Sequence, residues 1–188
     1  MKKIKIISVI FILALALGQS YGQNTKNYVS NSTKEKRVEK RSERKELRKL
    51  EGYKVSSVSM KSFANDFENA SDVQWKRTQD YDIAAFKQKG HEIKAFYDAD
   101  GQLVGTTQFK TIGDLPDRGQ KILSEKYGDY KIGQILYFNN NTINRTPMML
   151  WGIEISDQSN FFVELSNSDH KMVVYVDPGG SVSLFKKL

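Results

Sequence analysis

Cysteine is absent from the 188 residues. That excludes a disulfide framework, a thiol nucleophile and lipid attachment to an N-terminal cysteine. Histidine occurs twice, at His91 and His170, too few for a structural zinc site without carboxylate help. Each histidine also stands beside an expected turn, so a nucleophile has no base to activate it. Glycine-rich phosphate motifs are missing: Gly179-Gly180 falls in an expected hairpin and opens no helix. Asp80 and Asp82 are neighbours in an expected turn, with nothing beside them to raise a carboxyl pKa. The sequence therefore predicts no catalytic residue, no resident cofactor and no metal site. It points away from an enzyme.

Charge of one sign is also scarce where a folded domain is expected. The net charge of +7 looks like a nucleic-acid signal until it is located along the chain. Residues 34–51 hold nine basic and five acidic side chains, and Lys2, Lys3, Lys5 and Lys26 add four more cations. Residues 52–188 hold 16 basic and 17 acidic groups. The later, larger part is neutral, which argues against nucleic acid as its partner.

Only one long apolar run exists. Lys2, Lys3 and Lys5 precede apolar residues from Ile6 to Gly18, and Ser20-Tyr21-Gly22 supplies a small-x-small site. This is the pattern of a secretory leader at 1–22, cleaved before Gln23. The run is shorter than the ~20 residues of a spanning helix, so no membrane span is expected after cleavage. The expected destination is the periplasm or beyond. Residues 23–56 read as a polar and charged spacer. Within it, Glu35, Glu39 and Glu43 repeat at four-residue spacing, as do Lys36, Lys40, Arg44 and Arg48. Like charges so placed cost a helix about 0.2–0.5 kcal/mol each, and only Val38, Leu47 and Leu50 could pack. The expectation is a solvated helix or spacer, with a basic arm for anionic envelope lipid or nucleic acid as the alternative.

Residues 57–188 carry the periodic patterns of a folded domain. Ile93, Ala95 and Tyr97 alternate with Lys94 and Phe96, which predicts a strand. Asp98-Ala99-Asp100-Gly101 follows as a turn, where aspartate can bond nearby backbone and glycine can take positive φ. A second strand starts at Gln102. The same design returns as Lys171 to Asp177, Pro178-Gly179-Gly180 and Ser181 to Phe185. Ahead of the first hairpin, Met60, Phe63, Ala64 and Phe67 mark an amphipathic helix over 57–70. Ahead of the second, Asp114 as N-cap and Pro116 in the first turn start another helix with Ile122, Leu123 and Tyr127 on its apolar face. Further strands are predicted at 72–76, 81–87, 131–138, 148–156 and 160–166, and 139–147 is an Asn-rich loop. The order, helix plus strands given twice, predicts an α+β fold. Two repeats form one continuous antiparallel sheet with two helices on one face, leaving the other face to water.

The ordered set Phe63-x3-Phe67, Asp72-Val73-x-Trp75, Ala84-x-Phe86, Ala95-x-Tyr97-Asp98-x-Asp100-Gly101 and Leu115-Pro116 resembles the PepSY-like family of exported bacterial proteins. The resemblance covers about residues 57–188. It implies a fold like that of the β-lactamase-inhibitor proteins, with a curved sheet, and a role in binding or inhibiting other exported proteins. It carries over no catalytic residue.

Parity on the late strands separates two faces. Trp151, Ile153 and Ile155 share one face with Phe161, Val163, Leu165, Met172, Val174, Val176, Val182 and Leu184, expected to meet the helices. Leu150, Phe162, Tyr175 and Phe185 fall on the other face, among Gly152, Glu154, Glu164, Ser181 and Ser183. Phe162, Tyr175 and Phe185 are thus the candidate binding residues: either an exposed recognition patch, or aromatics covered by the N-terminal segment, a second subunit or the barrel-like curvature of the sheet. The leading functional reading is an exported, non-enzymatic module that engages a protein or peptide through this face. Two others stand beside it. Asp98 and Asp100 echo the start of a calcium loop, although position twelve is Phe109 and not the bidentate glutamate. The basic arm could instead tether the domain to an anionic envelope polymer.

Overall fold

The hairpin at residues 91–110 and its copy at 171–187 each present a glycine turn to the first turn of a helix. That contact is what makes the two halves of the molecule alike. The structure is a computed structural model and describes residues 52–188 together with Glu39, Ser42, Glu43, Glu46, Lys49 and Leu50. The expected leader and the polar stretch after it lie outside the described residues. Of the charged run, the described members are helical and exposed, and Lys49 donates to Glu46 at 2.6 Å. The chain divides into two units, Met1–Arg41 and Ser42–Leu188; the second holds every element named below.

Helix α1 spans Ser57–Asp66 and is followed by strands β1 (Ser71–Arg77), β2 (Asp82–Gln88), β3 (His91–Tyr97) and β4 (Leu103–Lys110). A short 3-10 turn, Ile112–Asp114, leads to helix α2, Asp117–Lys126. Strand β5 (Lys131–Asn140), the two-residue strands β6 (Met149–Leu150) and β7 (Ile153–Glu154), then β8 (Asn160–Ser166), β9 (Lys171–Val176) and β10 (Val182–Lys187) complete the chain. Eight strands form one sheet in the order β1-β2-β3-β4-β5-β8-β9-β10, with every pairing antiparallel. The expected α+β architecture, two repeats on one sheet with two helices on one face, is what the chain adopts.

The repeats match residue by residue around the helices. Ser57 opens α1 and Asp117 opens α2, so Val58 and Ser59 correspond to Arg118 and Gly119, and Phe63 corresponds to Leu123. Phe63 packs with Ala84, Phe86, Ala95 and Tyr97. Leu123 packs with Ile135, Val163, Leu165, Val174 and Val176. In each turn the glycine has positive φ, 71° at Gly101 and 76° at Gly180, a region that costs other residues roughly 1–2 kcal/mol. A Cβ on Gly101 would lie 2.7 Å from Val58 Cγ1, and one on Gly180 would lie 2.8 Å from Arg118 Cβ. The two turns thus need glycine for both conformation and space.

Helix α1 is rotated from its expected apolar stripe. Phe63 is buried and Phe67 half-buried, but Met60 and Ala64 face solvent while Ser59 is fully buried. The cause is a buried polar pair. Ser59 Oγ donates to Asp82 Oδ2 at 2.8 Å, and the Ser56 backbone N–H donates to the same oxygen at 3.1 Å. Arg77 Nε lies 3.7 Å from Asp82 Oδ1, and the Arg77 guanidinium donates to the Lys54 carbonyl. Asp82 is therefore a buried anchor rather than a turn carboxylate. Asp114 also differs from expectation. It closes the 3-10 turn, accepting from the Thr111 N–H and hydroxyl at 2.8 and 2.7 Å, while Pro116 occupies the N-cap of α2.

Candidate binding cleft

The repeats differ most at one connection. Residues 78–81 join β1 to β2, whereas residues 141–159 join the equivalent β5 and β8. This longer connection does not stand open in solvent as an Asn-rich loop would. Its asparagines tie it down. Asn141 Nδ2 donates to the Leu103 carbonyl at 2.8 Å. Asn144 Nδ2 donates to Asp98 Oδ2 at 3.1 Å, and Thr146 Oγ1 donates to the same oxygen at 2.8 Å. Asp98 Oδ1 meanwhile accepts from the backbone N–H groups of Asp100 and Gln102 at 2.9 and 3.0 Å. The turn aspartate thus bonds nearby backbone as expected, and also clamps the insert. The Tyr81 hydroxyl donates to the Pro147 carbonyl at 2.6 Å and accepts from the Met149 N–H at 3.1 Å.

So anchored, the insert lays Met148, Leu150, Trp151 and Ile155 on the sheet face away from the helices. There they form a second core with Tyr81, Phe96, Val104, Phe138, Phe162 and Val173. The expected single strand at 148–156 is instead a two-residue hairpin, because Trp151 and Gly152 both adopt positive φ, 49° and 77°, as a type I′ turn requires. The face expected for Trp151 and Ile155 is therefore corrected. Trp151 packs against Phe162 and Ile155 joins the same core, away from the helices. Positive φ is rare for a bulky residue. Trp151 is held there by Lys186 Nζ, which donates to its carbonyl at 2.7 Å, and by ring contacts with Phe162 and Phe185 at 5.8 and 5.9 Å between centroids.

The parity of β8 and β9 follows the expected split. Val163, Leu165, Val174 and Val176 meet α2, while Phe162 and Tyr175 lie on the opposite face. Of the three candidate aromatics, Phe162 is only 2 % exposed, and Tyr175 and Phe185 are half-buried beside it. An exposed patch of these three does not exist, since the insert covers them. Among the described residues the covering element is the insert.

What remains open on this face is a cleft of about 840 Å³. Its floor crosses the strands through Ala85, Lys94, Phe96, Thr107, Phe109, Leu136 and Phe162, and the insert supplies Leu150 and Trp151 as one wall. Phe109, Leu136 and Phe162 form a row in register across β4, β5 and β8, and Phe109 is 50 % exposed. The floor alternates with the helix-facing set, as sheet pleating requires. Asp72, Lys87, Glu92 and Glu164 bring charge to the lining. Lys87 bonds Asp72 at 2.9 Å, and that hydrogen bond with the carboxylate charge holds the Lys87 ammonium above its ordinary pKa. Phe109 was visible in the sequence only as the residue denying a calcium loop its glutamate. Its period-two spacing from Thr107 was the signal for its face.

No protein-family model matches the chain, and no curated protein is significantly similar to it. Solved structures are similar in fold. A BLIP-like protein from Bacteroides fragilis aligns at a TM-score of 0.59 and 18 % identity, covering 75 % of this chain and 92 % of that one. A DUF2874 family protein from Bacteroides uniformis gives 0.59 and 16 %, covering 71 % and 90 %. Another from Bacteroides ovatus gives 0.57 and 16 %, covering 73 % and 89 %. At these identities the likeness concerns architecture, and the architecture of this chain is the BLIP-like fold.

Proposed function

We propose that the chain is an exported, non-catalytic module that holds a segment of another exported protein, or a peptide, in the cleft on the helix-free face of its sheet. The carrying observation is the half-exposed Phe109 in an apolar row inside a cleft of about 840 Å³, the kind of anchor site around which binding energy concentrates. Export is supported by the leader pattern at 1–22. A non-catalytic role is supported by the lining itself: its titratable groups are Asp72, Lys87, Glu92, Lys94 and Glu164, with no histidine among them. The likeness to a BLIP-like protein supports an inhibitory outcome, in which occupancy blocks the partner's own surface. The calcium reading has less behind it, since both oxygens of Asp98 already accept hydrogen bonds from N–H and O–H donors.

Photo-crosslinking tests this reading. A benzophenone side chain at position 109 should give a discrete adduct with an exported protein in intact cells. The same group at Val58, exposed in the first turn of α1, should give none. Adducts from position 58 alone would move the binding surface to the helices.

A further inference from the structure

We propose that the cleft selects an acidic segment of its protein partner, with one carboxylate seated on Lys94 and a neighbouring apolar side chain on Phe109. The proposal rests on the cleft being the binding surface and adds the chemistry it recognises. The other charged groups of the lining already have opposite charges to face. Lys87 pairs with Asp72 at 2.9 Å and stands opposite Glu92 in the β2–β3 ladder. Glu164 pairs with Lys171 at 3.6 Å. Lys94 differs: among the described residues its ammonium enters none of the ion pairs or side-chain hydrogen bonds. Its cross-strand neighbours on either side are Ala85 and Thr107, both too short to cover it.

An exposed lysine on an outer surface needs no explanation, because water satisfies it. Lys94 instead rises from the floor of a cleft whose apolar lining includes Phe96, Phe109, Leu136, Leu150 and Trp151. A partner that fills the cleft displaces that water. A neutral side chain at this point would leave the ammonium without an acceptor, which is costly in a desolvated site, and a cation placed on Lys94 would add repulsion. A carboxylate replaces the lost water with a charge-assisted hydrogen bond. The flanking Ala85 and Thr107 leave room for it beside the lysine, while Phe109 offers an aromatic face to the adjacent residue. The rule is thus an acidic residue next to a large apolar one, and the exclusion of lysine and arginine from the same position.

The test is selection of a random dodecapeptide library displayed on phage against the intact domain, with counter-selection against Phe109→Asp. Selected clones should be enriched in Asp or Glu beside an apolar residue. Their affinity should fall at least tenfold on Lys94→Met, and Lys94→Glu should shift selection toward Lys and Arg. Circular dichroism melts of each variant, unchanged because both sites are exposed, exclude unfolding as the cause. Clones that depend on Phe109 but show no acidic preference would overturn the Lys94 assignment and leave the cleft standing. Clones indifferent to Phe109→Asp would overturn the cleft itself.

Discussion

The side chain of Phe162 sits where period-two spacing places it, off the helix face, yet the insert above it makes it core. Its ring lies 4.9 Å from that of Phe185 and 5.8 Å from that of Trp151. Phe162→Ala should therefore cost about 3–5 kcal/mol through lost burial and a cavity. Urea unfolding measures this, and a loss below about 1 kcal/mol would place the ring at the surface. Spacing fixes the face on which a residue lies but not what lands on that face, so its burial was not legible. Tyr97 makes a second residue-scale case. Burial, then the nearby Asp66 carboxylate, which accepts its hydroxyl at 3.0 Å, push the phenol far above its ordinary pKa. A raised folded pKa contributes stability below the unfolded value of about 10, and that stability is lost as pH rises beyond it. Melting temperature should thus fall between pH 10 and 11.5 more steeply for the wild type than for Tyr97→Phe. Parallel curves would show that Tyr97 is not the linked group.

Among elements, the two glycine turns are where repetition becomes measurable. Gly180 and Gly90 both have positive φ, 76° and 80°, but only Gly180 abuts a helix; nothing lies within 4 Å of a Cβ on Gly90. Gly90→Ala should cost about 1–2 kcal/mol for backbone strain alone. Gly180→Ala should add about 1–3 kcal/mol for crowding Arg118 and Gly119. Equal losses in chemical denaturation would mean that the turn does not pack on α2. The regular elements were readable because each has a period and a punctuation mark: Asp98-x-x-Gly101, Asp177-x-x-Gly180, Gly128 after α2. The register of α1 was not, because the buried Ser59–Asp82 pair joins residues 23 positions apart and overrides the apolar stripe. The insert was least legible. Asn141 and Asn144 read as loop composition, whereas their amides close on Leu103 and Asp98, contacts that no local pattern announces.

For the whole molecule, the sheet of eight strands carries two cores, one under the helices and one under the insert, and the uncovered remainder is the cleft. The arm at 23–50 should add little to this domain. Its deletion should move the melting midpoint by less than about 5 °C, roughly 1 kcal/mol at this size. Extending the deletion through Ser56 should lower it further, since that removes the N-cap of α1 and the Lys54 and Ser56 contacts with Arg77 and Asp82. A large loss from the shorter deletion would show that the arm docks. The central claim is that partners bind in the cleft, and Phe109→Asp tests it most directly. The variant should keep the wild-type melting temperature, because Phe109 is half exposed, and should lose at least tenfold in affinity for the protein crosslinked from position 109. Unchanged affinity with an intact fold would contradict the cleft as the binding surface.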